Sequence, residues 1–297
     1  MCAETTPSRR SISLPDGAVS YLEWSAPAGA RTLIFLHANG FHGGVYRQLL
    51  EPLAGEVRIL ALDLRGHGGT TLPADPTTLE SWLVYRDDVV AFLDAMETGP
   101  VWMAGHSLGG VVSALLAVYA PDRVRGLVLA DPVFLPRWIL AMIDVLGLVG
   151  QGWRVGPAGP ARRRRDGWPN RAAARAHYDG RGMFRGWPEG WLDDYLVEGL
   201  RDRDDGTVGL ACSSSWESRS FALVPRDTWR FVRGILCPTT IVHGEDSDTF
   251  RQASARLAPK RIPGVRMVPV PGASHFVPME HPEIVRAEIQ RMIKLSL

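Results

Sequence analysis

One serine sits in Gly105-His106-Ser107-Leu108-Gly109, a loop histidine, His275, lies far downstream, and several aspartates fall between them. A serine hydroxyl is a weak nucleophile at neutral pH. An imidazole that takes its proton, itself oriented by a carboxylate, makes it competent for acyl transfer. The apolar run Val101-Trp102-Met103-Ala104 precedes the serine, and a helix-forming stretch, 110–117, follows it. This order predicts strand, sharp turn and helix. The hydroxyl would stand above the carboxyl end of a sheet, with the free N–H groups of the helix aimed at the same place. A side chain at 105 or 109 would crowd such a bend.

His275 lies in Pro271-Gly272-Ala273-Ser274-His275-Phe276-Val277, after the last predicted strand and before the last predicted helix, and is assigned as the base. The acid is expected between serine and histidine, at the end of another strand. Asp246 and Asp248 follow the run Ile241-Val242-His243-Gly244, and Asp131 follows Leu129-Ala130.

Elements able to hold these residues are legible on both sides. An alternating hairpin is predicted over 10–24 about Pro15-Asp16-Gly17. Short apolar runs follow at 32–36, 57–62, 101–104, 126–130, 239–242 and 265–270. Near-continuous apolar strands of this kind belong to a sheet covered on both faces. Helical periodicity over 79–96, 108–119 and 282–295 separates them. The expectation is an α/β fold, a mostly parallel eight-stranded sheet with helices on both faces.

That alternation stops between about 135 and 231, where Trp138, Trp153, Trp168, Trp187, Trp191, Trp216 and Trp229 accumulate beside many arginines. Helical stretches at 138–148, 170–178 and 191–200 make this an inserted helical lid rather than a loop. The expected division is a core of 1–134 and 235–297 with a lid of 135–234. The run Arg162-Arg163-Arg164-Arg165 reads as a solvated lid face.

With 45% hydrophobic and 22% charged residues, 297 residues can bury a full core. A formal net charge of +1 argues against a dedicated nucleic-acid partner. Arg9-Arg10 precedes no apolar segment, and 133–149, the nearest approach to a membrane span, is broken by Pro136, Arg137 and Asp144. Cys2, Cys212 and Cys237 form no metal-like pair, which favours a reducing, cytoplasmic setting. No histidine–carboxylate cluster has metal-ligand spacing and no glycine loop suits a phosphate, so neither metal nor cofactor is expected.

Five motifs in order resemble the α/β-hydrolase superfamily, in its serine esterase and lipase-like branch: His37-Ala38-Asn39-Gly40-Phe41, Asp63-Leu64-Arg65-Gly66-His67-Gly68, Gly105-His106-Ser107-Leu108-Gly109-Gly110, Gly244-Glu245-Asp246-Ser247-Asp248 and Gly272-Ala273-Ser274-His275-Phe276. The resemblance spans about 10–134 and 235–295. It implies an oxyanion hole made by the backbone N–H groups of Asn39 and Leu108 and a structural His37. Phe41 and His42 would either line the acyl pocket or pack against the lid, and His106 is placed near the substrate pocket. The acid in this pattern usually falls three positions after the glycine, which here is Ser247. The expectation is therefore Asp248, one step further on, with Asp246 and then Asp131 as alternatives. The second motif reads as a tight turn with a buried ion pair rather than a catalytic one.

Ser107, His275 and Asp248 thus predict hydrolysis of carboxylic esters through an acyl-enzyme, with a small ester-like molecule as partner. Lactones, thioesters or acyl transfer could use the same residues. A non-catalytic small-ligand receptor on this fold is the rival of a different class.

Overall fold

The computed structural model describes residues 6–148 and 156–295; Cys2 and Trp153 lie outside the described residues. The strands are β1 Ser8–Leu14, β2 Gly17–Trp24, β3 Thr32–Leu36, β4 Arg58–Leu62, β5 Val101–His106, β6 Val124–Ala130, β7 Gly167–Trp168, β8 Leu200–Asp202, β9 Val208–Leu210, β10 Thr239–Gly244 and β11 Arg266–Val270. Eight of them form one sheet in the order β1-β2-β4-β3-β5-β6-β10-β11. Only β1–β2 and β2–β4 pair antiparallel; from β4 to β11 every pairing is parallel. The eight-stranded, mostly parallel sheet predicted from the sequence is present.

The helices are α1 Arg47–Leu50, α2 Leu83–Ala95, α3 Leu108–Tyr119, α4 Arg137–Leu148, α5 Ala158–Arg162, α6 Arg171–Tyr178, α7 Trp191–Gly199, α8 Ser214–Ala222, α9 Thr228–Phe231, α10 Gln252–Leu257, α11 Val277–Glu280 and α12 Pro282–Leu295. Alternate residues of each central strand feed two cores, as the twofold repeat of a strand requires. Ile34 and Leu36 of β3 join the core that holds Val89 and Phe92 of α2 and Val111 of α3. Leu33 and Phe35 join the core that holds Leu49 of α1 and Val285 and Ile289 of α12. Both faces are therefore closed, which explains why these strands read as unbroken apolar runs.

Between β6 and β10 the chain leaves the sheet and forms α4 to α9 with a second, three-stranded sheet in the order β7-β9-β8. The insertion, expected as a helical lid, carries this small sheet beside its helices. Its strands are two or three residues long, too short to leave a periodic signal.

Candidate active site

Ser107 occupies the bend between β5 and α3 with φ +56° and ψ −116°, a strained conformation for a residue with a side chain. The bend closes because its flanking glycines let backbone approach backbone. A Cβ on Gly109 would lie 2.1 Å from the Leu36 carbonyl oxygen, and one on Gly105 would lie 2.5 Å from the Gly109 carbonyl carbon. The Ser107 N–H donates to the Ala130 carbonyl at 3.0 Å, tying the turn to the end of β6.

His275 comes from the loop after β11, and its Nε2 lies 3.0 Å from Ser107 Oγ. Its Nδ1 lies 2.7 Å from Asp131 Oδ1. Nδ1–H therefore donates to the carboxylate, leaving the Nε2 lone pair facing the serine hydroxyl. Asp131 is fully buried and has a positive φ of +40°, which turns its side chain toward this loop. It also accepts from Ser247 Oγ at 2.7 Å, from the Gly244 N–H at 3.0 Å and from the Phe250 N–H at 3.4 Å.

This geometry corrects the expectation for the acid. The side chain of Asp248 is exposed and accepts from the Thr249 hydroxyl at 3.1 Å. Asp246 is exposed as well, its backbone N–H bound to the Ala273 carbonyl. Ser247, at the position where the family pattern carries its acid, supplies a donor to Asp131 instead. The signal was present in the sequence as a polar but uncharged residue at the expected position, together with an aspartate ending the neighbouring strand.

The Asn39 loop lies beside the serine turn. Among the described residues, the backbone N–H groups of Asn39 and Leu108 donate to no protein carbonyl or side chain. The loop is braced from beneath by histidines. His67 Nδ1–H donates to the Arg65 carbonyl at 2.9 Å, and its Nε2 accepts from the Gly40 N–H at 3.0 Å. His37 Nδ1–H donates to the Ala38 carbonyl at 2.7 Å, and its Nε2 accepts from the Leu64 N–H at 2.9 Å. Burial lowers both imidazole pKa values, that of His67 to about 4, so both rings are neutral brackets.

His106 departs from the pocket role expected of it, and His42 takes the second of its two expected places, packed against the insertion. His106 is fully buried; its Nε2–H donates to the His275 carbonyl at 2.9 Å, and its Nδ1 accepts from the Tyr46 hydroxyl at 2.7 Å. Tyr46 in turn accepts from the Ala38 N–H at 3.1 Å, so one chain of bonds joins the base loop to the Asn39 loop. His42 is buried too, its Nε2–H donating to the Tyr195 carbonyl of α7 at 3.0 Å. Neither ring has a free face for a substrate. Phe41, 3% exposed, stands edge-on to Trp187 and Tyr195 and stacks with Phe276, next to the base.

The turn after β4 carries two ion pairs, each reaching a partner outside the turn. Asp63 binds Arg9 at 2.8 Å and accepts from the Gly43 and Gly69 N–H groups, while Arg65 binds Asp88 at 2.6 Å. His42, Asp63 and Glu198 come together as possible metal ligands. The guanidinium of Arg9, paired with both carboxylates, already fills the place of a cation.

A family model described as alpha/beta hydrolase family matches residues 33–288. The chain belongs to the alpha/beta hydrolase family. It is 27% identical over 262 residues to a 2-(acetamidomethylene)succinate hydrolase of Mesorhizobium japonicum, covering 88% of this chain and 87% of that one. It is 30% identical over 180 residues to the Homo sapiens monoglyceride lipase, covering 53% and 59%. The crystal structure of E-2-(acetamidomethylene)succinate hydrolase superposes with a TM-score of 0.78 over 97% of this chain and 99% of that one, at 24% identity. A thioesterase domain from the curacin biosynthetic pathway gives 0.73 over 96% and 99%, at 17% identity. At those identities the superpositions speak for the fold alone.

What this hydrolase builds on the common core is the insertion, and it reaches the site directly. The side-chain amide of Asn39 donates to the Glu217 carbonyl of α8 at 3.0 Å. The Glu217 carboxylate rests on Gly40, where a Cβ would lie 2.4 Å from Oε1. Glu217 is 6% exposed, and Arg164 Nη1 donates to both of its carboxylate oxygens, at 2.9 and 3.1 Å. Arg164 also donates to the Tyr178 and Tyr195 hydroxyls. Arg162, Arg163 and Arg165 are exposed, as a solvated face requires, but Arg164 is turned inward. Spacing alone could not separate one arginine from its three neighbours. Of the tryptophans, Trp168, Trp191, Trp216 and Trp229 are buried packing groups, Trp187 faces Phe41 and Phe276, and Trp138 points outward. Burial raises the Cys237 thiol to about 11, so it is a poor nucleophile.

Proposed function

We propose that this alpha/beta hydrolase cleaves carboxylic esters by a serine mechanism. The observation that carries the reading is the contact series Ser107 Oγ–His275 Nε2 at 3.0 Å and His275 Nδ1–Asp131 Oδ1 at 2.7 Å, with a fully buried acid. Ser107 Oγ attacks the acyl carbon as its proton passes to His275 Nε2. The resulting imidazolium is held by Asp131, which remains ionised. Negative charge developing on the carbonyl oxygen falls to the N–H groups of Asn39 and Leu108, each such donor lowering the barrier by roughly 3 kcal/mol. Collapse breaks the bond to the leaving oxygen, and His275 returns the proton to the departing alcohol. Water then attacks the acyl-enzyme, its proton going to His275 and from there to Ser107 as the acid leaves.

The insertion acts as the lid of the site, with Phe41, Trp187 and Phe276 forming an apolar wall beside the base. Such a wall favours an apolar acyl or alcohol group. The 2-(acetamidomethylene)succinate hydrolase and the monoglyceride lipase are relatives with hydrolase names, consistent with acyl transfer to water. The test is turnover of p-nitrophenyl butyrate together with labelling by a fluorophosphonate. Both are expected to vanish in Ser107→Ala with the thermal midpoint preserved. An unlabelled wild-type serine, or full activity in Ser107→Ala, would sink the mechanism.

A further inference from the structure

At the protein surface around α4, two features adjoin. A surface cavity of about 350 Å³ runs between α4, α9 and the turn after α10, and five arginines line it: Arg137, Arg226, Arg230, Arg233 and Arg261. Two carboxylates, Asp144 and Asp227, share the groove. Asp144 is taken by Arg226 at 2.9 Å, and among the described residues Arg137, Arg230, Arg233 and Arg261 have no carboxylate partner. Trp229 forms a fixed floor, 6% exposed, its indole N–H bound to the Leu135 carbonyl at 2.7 Å.

Along the outer flank of the same helix runs an apolar stripe. Trp138, Met142 and Val145 are 56, 39 and 64% exposed, and Leu148 is 88% exposed. Their spacing of four, three and three residues sets them on one face, about a third of a turn from the groove-lining Leu140 and Asp144. Arg251 stacks over Trp138 at 5.8 Å, placing another cation beside the ring. Unpaired guanidinium groups flanking exposed aromatic and aliphatic side chains form a surface whose two halves demand one partner, anionic at its skin and apolar beneath.

We propose that this face, α4 with the arginine groove, docks on an anionic phospholipid surface. The apolar stripe distinguishes this from a site for a soluble phosphate, which would use the groove and leave the stripe idle. The inference is independent of the acyl chemistry at Ser107. It also requires no membrane-crossing segment, and no helix among the described residues is long and apolar enough to be one.

The experiment is co-flotation of the full chain with vesicles of phosphatidylcholine alone or mixed with phosphatidylglycerol, with inorganic phosphate as a soluble competitor. Binding is expected only to the mixed vesicles and should fall steeply as salt is raised. Each arginine near such a surface is worth about fivefold in partition, so Arg230→Ala with Arg233→Ala should weaken binding roughly 25-fold. Val145→Ser with Leu148→Ser should weaken it at any salt concentration, and both pairs should keep the wild-type thermal midpoint. The proposal is overturned by absence of binding to mixed vesicles, or by equal binding to both compositions. Binding that survives both double substitutions also overturns it. Saturable phosphate binding without vesicle binding would replace it with a soluble-anion site.

Discussion

Replacing Asp131 by asparagine separates the arrangement around His275 from every alternative acid. Asp131 Oδ1 faces the imidazole, Ser247 and the Phe250 N–H, while Oδ2 faces the Gly244 N–H at 3.0 Å. An asparagine can satisfy only one side of this set. With its oxygen toward His275, its NH₂ group is driven against the Gly244 N–H. Turned the other way, it presents N–H to His275 Nδ1, so the imidazole proton moves to Nε2 and points at Ser107. The second arrangement leaves the base without a lone pair for the serine proton. Loss of this kind costs about 10⁴-fold in kcat in a serine triad, or roughly 5 kcal/mol of barrier. Asp248→Asn, altering only an exposed side chain bound to Thr249, should stay within about twofold of wild type, since surface changes of this kind are nearly neutral. Ester turnover and the rate of fluorophosphonate labelling, measured side by side on both variants, provide the comparison. A folded Asp131→Asn protein within tenfold of wild type, or an Asp248→Asn protein that is crippled, would refute the reasoning.

Ser247→Ala removes one hydrogen bond to a buried carboxylate, a contribution of about 1.5–3 kcal/mol, and should lower kcat roughly tenfold with KM unchanged. Glu217→Ala strands the Arg164 cation between two tyrosines and should cost about 3–5 kcal/mol in denaturant unfolding, with Glu217→Gln milder because it can still accept one of the bonds. Acid should destabilise the fold through His37, His42, His67 and His106, whose pKa values burial lowers. Below about pH 6.5 the unfolded chain binds protons that the folded one refuses, so stability is full above that pH and declines as pH falls. For His67 the decline continues to about pH 4 and amounts to roughly 3 kcal/mol, which denaturant titrations across pH 4–8 would read.

Where local chemistry and periodicity coincide, the sequence was informative. The 3.6-residue pattern of α3 and α12 and the apolar runs of β3 and β10 mark elements buried by one continuous sheet, so composition alone reveals them. The serine turn was legible because its glycines answer to sterics that nothing else in the fold can relieve. The misplaced groups are those whose environment is built by distant chain. His106 follows the pattern of a pocket residue until Tyr46 and the His275 carbonyl take both its nitrogens. Arg164 is one of four successive arginines until α8 brings Glu217 against it. In each case the deciding partner is more than 50 residues away, beyond the reach of spacing.

The carboxylate beside His275 shows how the end of a neighbouring strand can supply a group that a motif places elsewhere. β6 and β10 are parallel neighbours with Ala130 beside Val242, so their carboxyl ends open side by side. Adjacent strands lie about 4.8 Å apart, less than the reach of an aspartate side chain plus one hydrogen bond. A carboxylate leaving either strand can therefore meet the same imidazole nitrogen. The choice is settled by what else the carboxylate must be given. Asp131 receives the Gly244 N–H and the Ser247 hydroxyl from the neighbouring strand end, both of which a buried anion needs. Asp248 has no such donors and faces solvent. The hydroxyl at 247 is thus the complement of the carboxylate at 131, and the two positions read together specify the acid that neither specifies alone.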